Sequence, residues 1–560
     1  MTSNNNIKNT NKIRILFYSF WFSGLLIQAF FTELNEDEAY YWMYSKYMSW
    51  GYFDHPPMIA LMIKIGYSFF PNELGVRLIP ILTSTFSLFI WEKIIQPKEI
   101  KTYFLLLLSV GILHFISFIA TPDAPLIFFT SLFLLAYKKF IFNPNMQTSI
   151  KLGVLVSLIL LSKYHGILII AAVILSNFKL IYTKYFWIAF VVATIILTPH
   201  ILWQIESGFP SIKYHLLERS SSLYSVNFTV EFLLSQLFVL GPFTGILFFI
   251  SMYKIKTKNQ FEKTLKYIFW TGYIFFFFMT FKGRTEAHWT LFTIVPAIYF
   301  GYQFLIQTTK RQKTIRVLFY TSLGLILLAR AFISIDLKPN SNSIIAQLTN
   351  SFRNKEKMQL IYQKSKKLPV AFMNSYQNAS LYEFYSNSTG FSLNNIMGRK
   401  NQYDLWNFED NYRRQKIMII PNYNVKRFDS IKGLSKTLKY SFINNFQSFS
   451  KIQIHPLNIL KEGVISDTLN IKIKFKHYNN IDIENNKNYS SYISYHFFKG
   501  EKLIKEGTGF KITNSALNKI HHLKINTPNN TGTYKLHFSI RTGWLPPTIN
   551  SNSYKIKLKE

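Results

Sequence analysis

The sequence predicts an α-helical polytopic membrane protein that carries a soluble tail built from an α/β region and a β-sandwich. Three observations lead there. Apolar runs of membrane-crossing length recur as far as Ile335 and then stop. Lys and Arg concentrate in every second loop between those runs. Beyond Asp336, short segments alternate apolar and polar residues with the period of half-buried strands.

Each element follows in chain order. Met1 to Arg14 is polar and basic and leads into an apolar run ending at Phe31. No small-residue cleavage site follows, so an uncleaved first span is expected. About eleven runs qualify as spans by length and hydropathy. They are Ile13–Phe31, Leu74–Ile95, Tyr103–Ile119, Pro125–Tyr137, Leu152–Leu161, Ile167–Phe178, Tyr185–Trp203, Phe232–Tyr253, Leu265–Phe281, Trp289–Ile306 and Ile315–Ile335. The pair flanking Ser162-Lys163-Tyr164-His165-Gly166 is compatible with one long helix, but charge alternation favours two. Lys12/Arg14, Lys93/Lys98/Lys101, Lys138/Lys139/Lys151, Lys179/Lys184, Lys254/Lys256/Lys258 and Lys310/Arg311/Lys313 fall in alternate loops, which are expected to be cytoplasmic. The N-terminus is then cytoplasmic. Thr32–Glu73, Ala120–Asp123, Ser162–His165, Gln204–Asn227, Lys282–His288 and the tail face the other side, the periplasm if the membrane is a bacterial inner membrane.

The expected domains are a membrane domain over 1–335, an α/β domain over 336–455 and a β-sandwich over 456–560. In the α/β domain, Pro369–Asn374 and Ile417–Pro421 read as buried strands around a helical Ser375–Tyr385. In the sandwich, Ile471–Phe475, Tyr492–Phe498, Tyr534–Ile540 and Tyr554–Leu558 alternate as strands.

Composition excludes several classes. The net charge of +35 is spread over membrane loops and a polar tail, without the clustered basic motif of a nucleic-acid module. With no cysteine in the chain, disulfides, thiolate metal sites and a Cys nucleophile are excluded. No Gly-rich phosphate loop occurs, so no nucleotide cofactor is expected.

Ionisable motifs gather in the loops of one membrane face. Asn35-Glu36-Asp37-Glu38 precedes Ala39-Tyr40-Tyr41-Trp42. Asn35 and Glu38 fit a capping box, a structural use of Glu38 that leaves the adjacent Asp37 unexplained. Transfer to a hydroxyl or amine needs a carboxylate to take the proton or hold a metal, and Asp37 is the first candidate, then Glu38. In Asp54-His55-Pro56-Pro57, the acid and imidazole either open a juxtamembrane helix or face a lipid phosphate or a metal. Thr121-Pro122-Asp123 is a helix start whose acid, Asp123, shares the face of Asp37. Beyond Trp203, His215 and Arg219 share one face of a helix; Arg219 suits a phosphate, and His215 a phosphate or a metal. Lys282-Gly283-Arg284-Thr285-Glu286-Ala287-His288 packs four ionisable groups into one turn. Lys282 and Arg284 there suit a phosphate leaving group, and Glu286 and His288 are further active-site candidates. Snorkelling at a helix end is their bland alternative. Lys163 stands in a similar turn.

This ordered set resembles the GT-C superfamily of glycosyltransferases, specifically its family 39-type and aminoarabinose-transferase-like members. It runs from Asn35 to about Arg330: acidic loop, Pro-Pro juxtamembrane helix, Thr-Pro-Asp, Lys-Tyr-His-Gly and Glu-Ala-His-Trp. The resemblance implies a polyprenyl-phosphate-linked sugar as donor and a glycolipid (lipid A), polysaccharide or protein as acceptor. It matches Asp37 to the family's essential first-loop acid and Asp123 to a second active-site acid. Asp54 falls on a metal-binding acid, and His215 on a metal-binding His, so a divalent metal is a possible cofactor. His55 stands where the aminoarabinose-type enzymes carry a phosphate-binding Lys, and Arg219 lies near the family's Arg. The rival reading is a polytopic lipid flippase or transporter with a periplasmic binding domain. The spans hold few ionisable groups besides His114 and Arg330, which favours chemistry at one rim over passage through the middle.

Overall fold

The computed structural model describes residues 2–219, 224–308, 312–334, 354–422, 428–431, 437–459, 461–476, 481–485, 489–517 and 519–560. Two compact units form, Met1–Asn354 and Lys355–Glu560. Lys310, Arg311 and the expected boundary at residue 336 lie outside the described residues.

The first unit is helical. It opens with α1 (Thr2–Phe31), α2 (Glu36–Lys46), α3 (Met58–Phe69) and α4 (Glu73–Ile95). It continues through α5 (Ile100–Leu108), α6 (Leu113–Ile116), α7 (Asp123–Phe142), α8 (Met146–Ser162) and α9 (Gly166–Ser176). Then come α10 (Lys184–Glu206), α11 (Pro210–Lys213), α12 (Val226–Leu240), α13 (Gly245–Lys254), α14 (Gln260–Met279), α15 (Ile294–Gln307) and α16 (Gln312–Ser334). Side-chain caps start many of them: Asn35 for α2, Asn72 for α4, Asn145 for α8, Thr183 for α10 and Asn259 for α14.

Among the described residues, six helices are long and apolar enough to cross a membrane, or seven if one bent pair counts as a span. The eleven expected runs therefore include shorter helices and broken ones. The run at Tyr103–Ile119 breaks after Leu108, and the run at Phe232–Tyr253 bends by 91° between α12 and α13. Pro242 explains the second break, since it lacks an amide donor and drives Gly241 out of the helical region. Backbone freed from helices in an apolar setting must find partners. Here the two breaks satisfy each other: the Ile112 amide donates to the Val239 carbonyl at 3.1 Å. His114 caps the first break, its Nε2 lying 2.9 Å from the Leu108 carbonyl. The doubtful pair around Lys163 is two helices, α8 and α9.

The second unit begins with α17 (Lys355–Ser365), β1 (Val370–Met373), α18 (Tyr376–Ser386) and β2 (Gly390–Leu393). It adds β3 (Ile417–Ile420), β4 (Asp429–Ile431) and β5 (Leu438–Ile443), giving a sheet of order β2-β1-β3-β5-β4. β1 is parallel to β2 and β3 and wholly buried, which is why it reads as a continuous apolar run rather than an alternating one. There follow β6 (Gln453–Pro456), β7 (Glu462–Val464), β8 (Thr468–Lys476), β9 (Ser491–Lys499), β10 (Lys502–Lys511), β11 (Ile520–Asn526), β12 (Gly532–Thr542) and β13 (Tyr554–Lys559). These form sheets β10-β9-β12-β13-β7 and β11-β8-β6 around one apolar core that includes Ile473, Phe497, Leu523 and Phe538. β10 escapes simple pattern reading because Gly507 interrupts it. A Cβ there would collide with the Tyr495 ring on β9.

Candidate active site

The first loop is organised by its second acid. Asn35 caps α2 by accepting from the Asp37 amide at 3.0 Å, and Glu38 completes the box by accepting from the Asn35 amide at 2.9 Å. Glu38 also takes a two-pronged grip from Arg77 of α4, with Nε at 2.8 Å and a terminal nitrogen at 2.6 Å. The Ala120 amide, just before α7, donates to the same carboxylate at 2.8 Å. Arg77 spends its remaining donors on the carbonyls of Ala29, Thr32 and Glu33. Both side chains are fully buried. The expectation of a catalytic Glu38 is thereby corrected: its oxygens hold α1, α2, α4 and the approach to α7 together and leave none for a substrate proton. Asp37, half-buried in the first turn of α2, adjoins Glu38, whose carboxylate accepts from the Ala120 amide three residues before Asp123.

The next segment, Trp50 to Asp54, is fastened by α10 and α11. His200 Nδ1 donates to the Trp50 carbonyl at 2.7 Å, and Ser211 Oγ to the Tyr52 carbonyl at 2.8 Å. Gly51 lies so close to the Trp203 ring that a Cβ would strike it. His215 Nε2 lies 3.0 Å from the Asp54 carbonyl. The buried Asp54 carboxylate accepts from Tyr44 at 2.5 Å. The Asp54–His215 metal expectation is therefore changed in geometry: the pair is adjacent, but the imidazole meets the main chain, not the carboxylate. Among the described residues no group of three or more His, Cys, Asp or Glu side chains is placed to hold a metal ion. This donor set does not by itself make a metal centre.

Beside this segment lies a second buried ion pair. Lys163, at the end of α8, places Nζ 2.8 and 2.9 Å from the two Asp123 oxygens at the start of α7. Lys163, expected to meet a lipid phosphate, is thus committed to Asp123. His288 Nε2 stands 3.9 Å from Asp123 on the other side. His55 rests against Tyr41, with ring centroids 5.5 Å apart, and against His215 at 6.5 Å. Burial, then the charges of Lys163 and the neighbouring His215, hold the His55 pKa well below the usual imidazole value, while Asp123 opposes them. Burial likewise lowers His215. Both rings are neutral at pH 7.

A cavity of about 380 Å³ opens next to this pair. Its lining includes the apolar side chains of Leu168 on α9 and Phe275, Phe276 and Met279 on α14. The lining also includes Arg219, Lys282 and Arg284 with His165 and His215. Arg219 lies over the Trp289 ring at 4.3 Å, a cation–π contact that fixes its guanidinium. Arg284 is at the exposed rim, 3.8 Å from an equally exposed Glu231. Glu286 immediately precedes the 3-10 turn Ala287–Thr293 and does not line the cavity. Buried Thr285 Oγ1, Thr121 Oγ1, His165 Nδ1 and His55 Nδ1 have no hydrogen-bond partner among the described residues.

The structure thus brings Asp54, His55, Asp123, Lys163, His215, Arg219, Lys282, Arg284 and His288 into one neighbourhood. Sequence reasoning missed Arg77 as the anchor of Glu38, although a lone Arg inside an apolar run signals a buried partner. It also missed Tyr44, Trp289 and Thr285, which no charge pattern marks.

Residues 54–203 match the family model described as dolichyl-phosphate-mannose-protein mannosyltransferase. The chain is 26% identical over 240 residues to the lipid A galacturonosyltransferase RgtD of Rhizobium johnstonii, a match that covers 40% of this chain and 49% of that protein. It therefore spans about half the length of that relative. The fold matches ArnT from Cupriavidus metallidurans in the apo state with a TM-score of 0.55 at 13% identity, covering 79% of this chain and 98% of ArnT. The undecaprenyl phosphate-bound form of ArnT matches with a TM-score of 0.54 at 12% identity, covering 77% and 98%. By these matches the chain is a multi-pass membrane protein with the ArnT fold, similar in sequence to glycosyltransferases of the mannosyltransferase and lipid A-transferase kind.

Proposed function

We propose that the protein transfers a sugar from a polyprenyl-phosphate donor to an acceptor at the extracytoplasmic face of a bacterial inner membrane. The observation that carries this reading is the cavity, whose lining combines cations with apolar side chains, beside the Asp123–Lys163 pair. A polyprenyl phosphate needs that combination: cationic donors for its head and an apolar surface for its first isoprene units. The ArnT form bound to undecaprenyl phosphate lends the ligand class. RgtD lends lipid A as one acceptor, beside a polysaccharide or a protein.

In this mechanism Asp37 takes the proton of an acceptor hydroxyl while its oxygen attacks the anomeric carbon. The bond from that carbon to the phosphate oxygen breaks, and polyprenyl phosphate leaves with the electron pair. Configuration at the anomeric carbon inverts. Arg219 and Lys282 stabilise the charge that grows on the leaving phosphate, with Arg284 at the rim. Asp123, held by Lys163, orients the sugar. Neutral His55 and His215 offer hydrogen bonds without adding charge. The transporter reading lacks a matching observation, since Arg330 bonds to Gln28, His114 and the Gly24 carbonyl, tying α16 to α1 and α6.

The test is transfer from a panel of polyprenyl-phosphate sugars to membrane glycolipid, by wild type and Asp37→Asn. The variant should lose about 100- to 10,000-fold in rate, the range for removing a general base, with its melting temperature unchanged. Equal transfer by both proteins removes Asp37 from the chemistry. Failure of wild type with every donor and acceptor refutes the enzyme reading.

A further inference from the structure

We propose that His165 and Thr285 read the hydroxyl groups of the donor sugar, forming a sugar subsite next to the residues that meet the phosphate. This rests on the polyprenyl-phosphate reading of the cavity and adds which residues of its lining address the sugar.

The argument starts from two unmet hydrogen bonds. His165 and Thr285 both line the cavity, and among the described residues the buried atoms His165 Nδ1 and Thr285 Oγ1 have no hydrogen-bond partner. Leaving a buried polar atom unpaired is costly, so two of them on one cavity call for a partner that enters it. Packing holds the imidazole in place. Its ring centroid is 5.0 Å from that of Phe276 and 5.2 Å from that of Trp289, two further lining residues.

Chemistry selects the sugar among the parts of the donor. The polyprenyl tail has no polar atom to offer. A phosphodiester oxygen only accepts, so it satisfies Nδ1 in one imidazole tautomer and not in the other. A sugar hydroxyl donates and accepts, and so serves His165 in either tautomer and Thr285 in either hydroxyl orientation. Burial first, then the charge of Lys163, holds the His165 pKa well below the ordinary imidazole value, so at pH 7 the ring offers these bonds without charge.

Position agrees with chemistry. The sugar of a glycosyl phosphate is bonded directly to a phosphate oxygen, so the groups that read the two must adjoin. Trp289 touches both: the Arg219 guanidinium lies 4.3 Å from its ring, and the His165 ring lies 5.2 Å away. Thr285 follows Arg284 of the same lining directly in the chain.

The test uses the full chain in lipid nanodiscs with no acceptor present. Equilibrium binding is measured for undecaprenyl phosphate and for its glycosides with a neutral hexose, a hexuronic acid and an amino pentose. His165→Phe and Thr285→Val should each weaken the tightest-binding glycoside about tenfold, the scale for one hydrogen bond lost in a buried site. Both should bind undecaprenyl phosphate as wild type does, which also shows that they fold. His165→Asn, whose amide stands near the place of the imidazole Nδ1, should recover part of the loss. Arg219→Gln should weaken both ligands, because Arg219 meets the phosphate. If the His165 and Thr285 variants weaken both ligands alike, or neither, the sugar subsite is overturned; in the second case water completes the two atoms. Binding of undecaprenyl phosphate but of no glycoside overturns it as well. If no undecaprenyl ligand binds wild type at all, the polyprenyl-phosphate reading falls, and this inference with it.

Discussion

Two buried ion pairs stand at the same end of the helical unit, and they differ in what they are built to do. Glu38–Arg77 has both side chains at 0% exposure, and the carboxylate accepts from the guanidinium, the Asn35 amide and the Ala120 amide. Arg77 adds three carbonyl contacts, so the pair is closed on every side. Asp123–Lys163 is nearly as buried, at 3% and 5%, yet an ammonium is a point charge without a fork, and His288 stands 3.9 Å from the same acid. The first pair is sealed within the packing of four segments. The second sits at the edge of a cavity, near His55 and Arg219. Burial and charge pairing alone therefore do not separate a clamp from an active-site group; the number of donors left over does.

The largest expected effect breaks the clamp. Arg77→Ala leaves Glu38 as an unpaired buried charge, which costs about 3–5 kcal/mol of stability. Thermal unfolding in detergent should show the loss, and Arg77→Lys should recover little of it because the fork geometry is gone. Replacing both partners with apolar residues, Glu38→Leu with Arg77→Met, should regain part of the stability, since no charge is then stranded. A melting temperature for Arg77→Ala equal to wild type would show that the pair holds nothing together.

A smaller loss of stability and a larger loss of transfer should follow from Lys163→Ala. Asp123 then loses the group that orients it beside the cavity, and transfer should fall on the order of 100-fold, the scale for removing one preorganised electrostatic contact. Lys163→Arg should restore the charge but not the geometry, giving partial transfer. If Lys163→Ala instead melts as low as Arg77→Ala while the folded fraction transfers normally, the two pairs serve the same structural end.

The contrast also marks what a sequence can convey. Spans, loop clusters and the strands of β8, β9, β12 and β13 were legible because hydrophobic period reports burial, and burial is local in the chain. The capping role of Glu38 was legible for the same reason, since Asn35 lies three residues away. Its grip by Arg77, 39 residues further on, was not, and neither was the commitment of Lys163 to Asp123 across 40 residues. Which acid meets which base is decided by helix packing. The breaks after Leu108 and at Gly241 hid for a related reason: hydropathy counts apolar residues, whereas the break depends on a neighbouring backbone ready to accept freed amides.

The smallest effect concerns pH and sharpens the boundary between the two pairs. His55 is held below the ordinary imidazole value of 6.5 by burial first and then by Lys163 and His215, with Arg219 adding to them and Asp123 opposing. The unfolded chain therefore binds a proton more readily than the folded one. The stability tied to the neutral ring is present above pH 6.5 and is lost as pH falls below it. His215, also lowered, acts in the same direction. Melting measured at about pH 7.5 and about pH 5.5, on either side of the imidazole range, should show wild type losing stability on acidification. His55→Asn should lose less over the same interval, because Asn does not titrate. The Glu38–Arg77 clamp contains no imidazole, so Arg77→Lys should keep the wild-type difference between the two pH values. If His55→Asn keeps that difference unchanged, the ring does not face the Asp123–Lys163 neighbourhood as drawn, and the line between clamp and active site must be placed elsewhere.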